Sequence, residues 1–585
     1  MAARSVRPVM AAILAGAVAL TAACAGPGGA DGAGPKDSAV VGIAFEPDSL
    51  SPLLGYGKDG NSKIFDGLLA FGADMKLKPA LAAALPEVSD DGLTYTYKLR
   101  KGVTFSDGHP FTAADVVFTY RAILDPKTNN ASRAELDAVK DVRAAGDDTV
   151  VFTLAYPYAP FAERTVLGIA PEHVAGKQDV NTGPFTTRPI GTGPYVLTGW
   201  SKGEKLTFTA NEHYWGGAPA VKKFTMAVVK DDDVRATRLR AGDLDAAILP
   251  PNLAAGFTGT TAGKPYKTYR AATFDYRQVT LPAHDKVAGD PAIRRALDLA
   301  VDRQAMVDRI LEGAGKPAYG PVPTDSPWFA KGTERRHDLA GARKILDEAG
   351  WKPGPDGVRV KNGVRAAFPL WYLSGDKLRQ DHALAYASDA KKAGIALTTQ
   401  AGTWEVIEPR MKTDAVLAGG GSPGDPDFDQ YLMLKSSLAG DGFNNMAQYA
   451  DPVVDRALED GRRTNDPAKR RAAYDTIQRR LLKNPGYTFL THVDHLYVVS
   501  DRWETADGGL TTQIEPHDHG LGSGPWWNIE DWKPKGAAGT AKNAALVAPG
   551  AGGTAPAPGT GTTLGAGTAL AAAAGAAKSS GVAAR

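Results

Sequence analysis

At 585 residues, the chain has room for about three or four domains of roughly 100–200 residues each. Its 23% charged and 43% apolar residues describe ordinary globular material, and a net charge of +2 without a basic stripe of interleaved aromatics argues against a polyanionic partner such as nucleic acid. A single cysteine excludes an internal disulfide framework.

That cysteine, Cys24, ends the only long apolar run. Arg4 and Arg7 give a positive start, Ala11 to Leu20 (AAILAGAVAL) is an apolar core too short to cross a bilayer, and the small residues Thr21, Ala22 and Ala23 follow. This is the layout of an export signal. A small-residue site ending in Cys resembles the bacterial lipoprotein signal, in which the Cys is lipidated before cleavage. Leu20 stands one place earlier than usual there, with Thr21 in its position. The expectation is a lipoprotein signal peptide over 1–24, with the mature chain held at the outer face of the cytoplasmic membrane by lipid on Cys24; the alternative is a plain secretory signal. No other segment approaches 18 consecutive apolar residues. Residues 25–39, opening on Gly, Ala, Pro and Asp, read as a flexible tether.

The folded part mixes strands and helices. Thr94 to Leu99 places Tyr95, Tyr97 and Leu99 on one face of a strand entered through the Asp91-Gly92 turn. Thr112 caps a helix with Asp115 at the capping-box position. Val150–Leu154 and Lys205–Thr209 read as further strands. Asp290 and Pro291 begin a helix whose Ile293, Ala296, Leu297, Ala300 and Val301 form a core-facing stripe. Asp302 caps the next helix, with Gly313 past its end, and Asp338 a third; Asn465 or Asp466 with Pro467 opens another. From 536 to 585 the chain is dominated by Ala, Gly, Thr and Pro with neither aromatic nor acidic residues, a composition that predicts a disordered low-complexity tail.

Leu81 to Val116 (LAAALPEVSDDGLTYTYKLRKGVTFSDGHPFTAADV) closely resembles the signature of bacterial extracellular solute-binding proteins of family 5, the oligopeptide, dipeptide and nickel importers' binding proteins. Ile190–Trp215 is similar to that family's central strand pair, Ala292–Pro323 to its helical hairpin, and Leu339–Trp351 to the helix that follows. The resemblance is collinear from about 40 to 530. It implies an α/β, two-lobed periplasmic-binding-protein-like fold (type II, with an extra inserted domain) that closes on a ligand cleft by a hinge. Lobe 1 with its insertion would span 40–275, lobe 2 276–489, and the return to lobe 1 490–535. The implied protein is a monomeric, reaction-free binder of a small peptide or peptide-like solute for an ABC importer. Its permease and ATPase would be separate chains, since no P-loop occurs here. Neither cofactor nor nucleic acid is implied. Nickel or another non-peptide solute, and a sensing rather than a transport role, stay open. The turn and cap motifs themselves read as structural rather than ligand-facing.

Two catalytic or metal readings compete. Gly420-Gly421-Ser422-Pro423-Gly424 matches the G-x-S-x-G nucleophile elbow of hydrolases, but the residue after Ser422 is a proline and supplies no N–H to an oxyanion. His492, His495, His517 and His519, with Asp494 and Asp518, are a candidate metal set; the alternative is a group of solvated loop histidines.

The resemblance also points to a site. In the family, the Asp-Pro pair that falls here at Asp425-Pro426 closes a ligand-facing stretch. Peptide binders often carry a Trp six residues before it and an Asp three before it, the Asp pairing with the ligand's α-ammonium. Those positions are Gly419 and Ser422 here, so both residues are missing. Either Asp425, Asp275 or another acid takes over, or the ligand lacks a free amine. Gly419, Gly420 and Gly421 leave room for ligand bulk or for close backbone approach. Tyr56, in a loop resembling the family's first ligand-proximal loop, and Phe274, Asp275 and Tyr276, near the crossover, complete the candidate set.

Overall fold

A computed structural model of the chain describes residues 37–55, 62–130, 133–257, 259–261, 264–422, 424–440, 442–515, 517 and 522–536. The expected signal with Cys24, most of the expected tether, Tyr56, Pro423, Asp518, His519 and residues from 537 lie outside the described residues.

Two large sheets organise two lobes. The first lobe is built on eight strands in the spatial order Gly259–Thr261, Lys264–Ala271, His495–Ser500, Ala246–Leu249, Ser38–Ile43, Lys223–Val228, Lys205–Ala210 and Tyr195–Ser201. The second has six: Gly315–Pro317, Tyr487–Val493, Tyr276–Thr280, Ala415–Gly420, Ala367–Leu373 and Ala396–Gly402. A smaller four-stranded antiparallel sheet, drawn from Glu87–Val88, Thr94–Lys98, Thr149–Leu154 and Val139–Ala144, is inserted in the first lobe. It shares one continuous apolar core with the eight-stranded sheet: Tyr95, Tyr97 and Phe152 belong to the same cluster as Val41, Phe208 and Trp526.

Local sequence accounts for many of these elements. Tyr95 and Tyr97 point inward from Thr94–Lys98, packing edge-on against Phe161 and Phe152. Thr112 and Asp115 close a reciprocal capping box on Ala113–Leu124. Asp290 caps Pro291–Ala300 through the N–H groups of Ala292 and Ile293, and that helix buries Ile293, Ala296 and Leu297 in the second lobe's core. Asp302, Asp338 and Asp466 cap the three other expected helices.

Only two stretches carry the chain between the large sheets. Residues 272–275 join Lys264–Ala271 to Tyr276–Thr280, and Asp494 alone joins Tyr487–Val493 to His495–Ser500. The return passage therefore falls at Asp494 rather than 490, because Tyr487–Val493 is still paired to Tyr276–Thr280 in the second sheet. Among the described residues, no helix is long and apolar enough to cross a membrane.

Candidate ligand-binding site

Between the lobes lies a cavity of about 620 Å³, within the range of roughly 300–1,000 Å³ usual for small-molecule sites. Most of its wall is first-lobe material. Phe65, Asp66 and the hairpin Leu69–Phe71/Leu77–Pro79 form one side; Glu163 and Arg164, on the 3₁₀ helix Ala159–Val166, form another. Tyr214, Trp215, Gln513, Ile514, Ser523, Trp527 and Glu530 close the back, and the second lobe contributes Ser422 and Phe428.

The wall is apolar with a few well-placed charges. Lys63 donates to Glu530 at 2.9 Å and to the Trp527 carbonyl at 2.5 Å. Asp66 accepts from Trp215 Nε1 at 2.8 Å, Thr192 Oγ1 at 2.9 Å and Tyr214 OH at 3.2 Å; burial raises its carboxyl above the usual range despite these donors. Arg164 pairs with Glu135 and lies 3.4 Å over the Phe428 ring. Three polar groups of this wall hold buried atoms with no hydrogen-bond partner among the described residues: Ser62 Oγ, Glu163 Oε2, and Nε and Nη2 of Arg164. Such atoms are costly inside a protein unless something else meets them.

Outside the cavity wall the lobes also touch through a small polar latch. Tyr158, just ahead of Glu163, donates to Asp427 Oδ2 at 2.8 Å, and Arg462 reaches the same carboxylate at 3.1 Å. From the second lobe Arg462 also bonds Asp137 at 3.2 Å and the Ala134 carbonyl at 3.3 Å in the first. The lobes are therefore closed on the cavity.

The residues singled out by sequence divide sharply. Ser422 lines the cavity. Phe274 lines a smaller recess that also touches Ser422. Asp425 is turned away, clamped by two bonds from Arg470 at 2.5 and 2.6 Å. Tyr276 is a core residue, 1% exposed, whose hydroxyl donates to Asp429 at 3.0 Å. The Gly419–Gly421 run serves close approach. A Cβ would meet the His517 ring at Gly419, the Tyr276 ring at Gly420 and the Phe274 carbonyl at Gly421, where φ is +127°.

Asp275 belongs to the hinge. It is wholly buried and accepts from His495 Nε2 at 2.9 Å, His517 Nδ1 at 2.7 Å and Arg277. Burial opposes its ionisation, yet Arg277, His517 and His495 hold its carboxyl well below the usual range. His495 also donates to Glu515 at 2.6 Å, and Glu515 accepts from Tyr497 at 2.5 Å. Burial alone would lower the His495 pKa; the bonds to Asp275 and Glu515 outweigh it and raise it to about 9.

His492 and His495 are thus not solvated loop residues. His492 and His495 lie in strands and are each 3% exposed. His495, protonated and bonded on both nitrogens, has no lone pair for a metal. Burial depresses His492 to about 4. Among the described residues, no group of three His, Cys, Asp or Glu is gathered so as to hold a metal ion. Around Ser422, no hydrogen bond to a histidine occurs among the described residues, and the following helix, Asp427–Leu434, starts too late for a nucleophile elbow.

Sequence reasoning passed over most of the wall. Pro194, Tyr214 and Trp215 sit in motifs read as structural, and Glu163, Arg164, Trp527 and Glu530 were not singled out. The adjacent aromatics Tyr214-Trp215 were the available signal.

A cleft enclosed by two lobes that share a two-stretch hinge is the architecture of a solute-binding protein. The family model for bacterial extracellular solute-binding proteins, family 5 (middle), matches residues 76–442, and the chain belongs to this family of ABC-importer binding proteins. Protein XP55 of Streptomyces lividans is 66% identical over 512 residues, covering 87% of this chain and 93% of that one. In three dimensions the chain is similar to NikZ from Campylobacter jejuni, solved with Ni(L-His), at TM-score 0.80 and 30% identity, covering 85% of this chain and 100% of that one. It is also similar to the oligopeptide-binding protein AppA from Bacillus subtilis, solved with a nonapeptide, at TM-score 0.74 and 26% identity, covering 85% and 98%.

Proposed function

We propose that this protein captures a small peptide or peptide-like solute between its lobes and hands it to a membrane importer, without transforming it. The observation that carries this reading is the enclosed cavity of about 620 Å³ whose wall holds buried polar atoms lacking partners. Ligand atoms would satisfy Ser62, Glu163 and Arg164, while Phe65, Trp215, Trp527 and Phe428 supply apolar contact. The peptide class draws support from AppA, the nickel class from NikZ. The mainly apolar wall with a few polar groups favours the former here. Native mass spectrometry of the purified protein should find a co-purified organic molecule of peptide-like mass that leaves on unfolding. A bound metal ion with no organic companion would overturn the peptide-like reading.

Lipid on Cys24 would hold the protein beside its permease, two acyl chains sufficing for stable anchoring. Cys24→Ser should move it from the membrane fraction to the medium or leave it uncleaved; unchanged attachment would sink the anchor.

A further inference from the structure

The cavity wall is not charge-balanced. Four carboxylates, on Asp66, Glu135, Glu163 and Glu530, face three cations, on Lys63, Lys78 and Arg164. Lys63 belongs to Glu530 and Arg164 to Glu135. Asp66 has both oxygens engaged by Trp215, Thr192 and Tyr214. Glu163 is different: its Oε2 is buried and takes no hydrogen bond among the described residues. The closed lobes press it against second-lobe backbone, where Gly424, at φ +87°, would put a Cβ 2.8 Å from that oxygen. Ser422 lines the same cavity from the second lobe.

The two acids that sequence offered in place of the missing Asp are both spent. Asp425 is locked to Arg470, and Asp275 is consumed by the hinge. We propose that Glu163, reaching in from the first lobe, is the specificity residue of the cleft and selects ligands carrying a cationic group, an ammonium or a guanidinium. This rests on the solute-binding reading and deepens it. A carboxylate and an ammonium form a charge-assisted bond about twice as strong as a neutral one. Leaving the carboxylate buried without that partner is correspondingly expensive.

Its environment makes the selection pH-dependent. Burial, then the charge of Asp425, raises the Glu163 pKa to about 7; Arg164 and Arg470 partly offset them. The charged groups facing it are Asp425 and Arg470 from the second lobe and Arg164, with its partner Glu135, from the first. A bound cation favours the ionised form, so the ligand-bound pKa lies below 7. Affinity is then greatest above 7 and falls as the free carboxyl takes up its proton.

The test uses the full chain stripped of ligand by unfolding and refolding, with retention read by native mass spectrometry. The probes are an equimolar set of tripeptides with free amines, the same set N-acetylated, and a set of aliphatic mono- and diamines. Wild type at pH 8 should retain amine-bearing probes over acetylated ones by at least tenfold, and lose about tenfold of that affinity at pH 6. Glu163→Gln, equal to wild type in melting temperature, should lose both the preference and the pH dependence. Retention of the simple amines alone, lost in Glu163→Gln, supports the cation site and overturns the peptide-like reading. Retention of acetylated peptides at least as well as free ones overturns the cation site and leaves that reading standing. A preference for amines that survives in Glu163→Gln assigns the selection to another acid and overturns the proposal, and retention of no probe overturns both.

Discussion

Asp275, His495 and Glu515 form a buried chain in which one imidazolium bridges two carboxylates at the point where the lobes meet. The folded His495 pKa of about 9 lies above the unfolded value of about 6.5. A raised pKa contributes stability that is fully present below 6.5 and is lost as pH rises through 9. The expected loss is on the order of 2–3 kcal/mol between pH 6.5 and 9.5. Denaturant unfolding across that window should show this decline in wild type and a flatter profile in His495→Gln, which should also be less stable at pH 6.5 because Asp275 and Glu515 lose the cation that bridges them. Parallel profiles would mean that His495 is neutral in the fold. His382 and His492 act oppositely: burial depresses each to about 4, so their contribution is present above 6.5 and falls away as the solution is acidified towards 4.

Among the elements, what local chemistry dictates was legible. Asp290, Asp302, Asp338 and Asp466 each cap a helix where the sequence places them, because an N-cap bond spans two or three residues and needs no distant partner. The strand Ala415–Gly420 shows where legibility stops. Its glycines are compatible with an open pocket or with crowding, and the choice depends on His517, Tyr276 and Phe274, all distant in sequence. Ser422, reached by counting back from Asp425-Pro426, is one of the residues lining the cavity. Nothing in that spacing reveals Glu163, whose 3₁₀ helix belongs to the other lobe and approaches the chain beyond this strand's end at Gly424. Aspartates fared the same way. Asp425 and Asp275 read as available acids until Arg470, Arg277 and two histidines are placed beside them.

At the scale of the whole molecule, ligand affinity includes the equilibrium between open and closed lobes. The bonds from Tyr158 to Asp427 and from Arg462 to Asp137 and the Ala134 carbonyl cross between the lobes, whereas each lobe has its own apolar core. Tyr158→Phe removes one charge-assisted bond worth about 1.5–3 kcal/mol. It should weaken affinity for the co-purified ligand by about 10- to 100-fold, enlarge the ligand-free radius of gyration in small-angle scattering, and leave the melting temperature within a few degrees. Unchanged affinity and unchanged scattering would show that the latch does not govern closure. The order of strands has another consequence, for biosynthesis. His495–Ser500 lies between Lys264–Ala271 and Ala246–Leu249 in the first sheet, so those strands wait as unpaired edges while the second lobe, contiguous from Tyr276 to Val493, is made. A chain emerging N-terminus first completes its second lobe before its first. Until the last few dozen folded residues arrive, it remains an incomplete sheet with two adhesive edges, and it is in that interval that the polypeptide is most exposed to misassembly and to proteolysis.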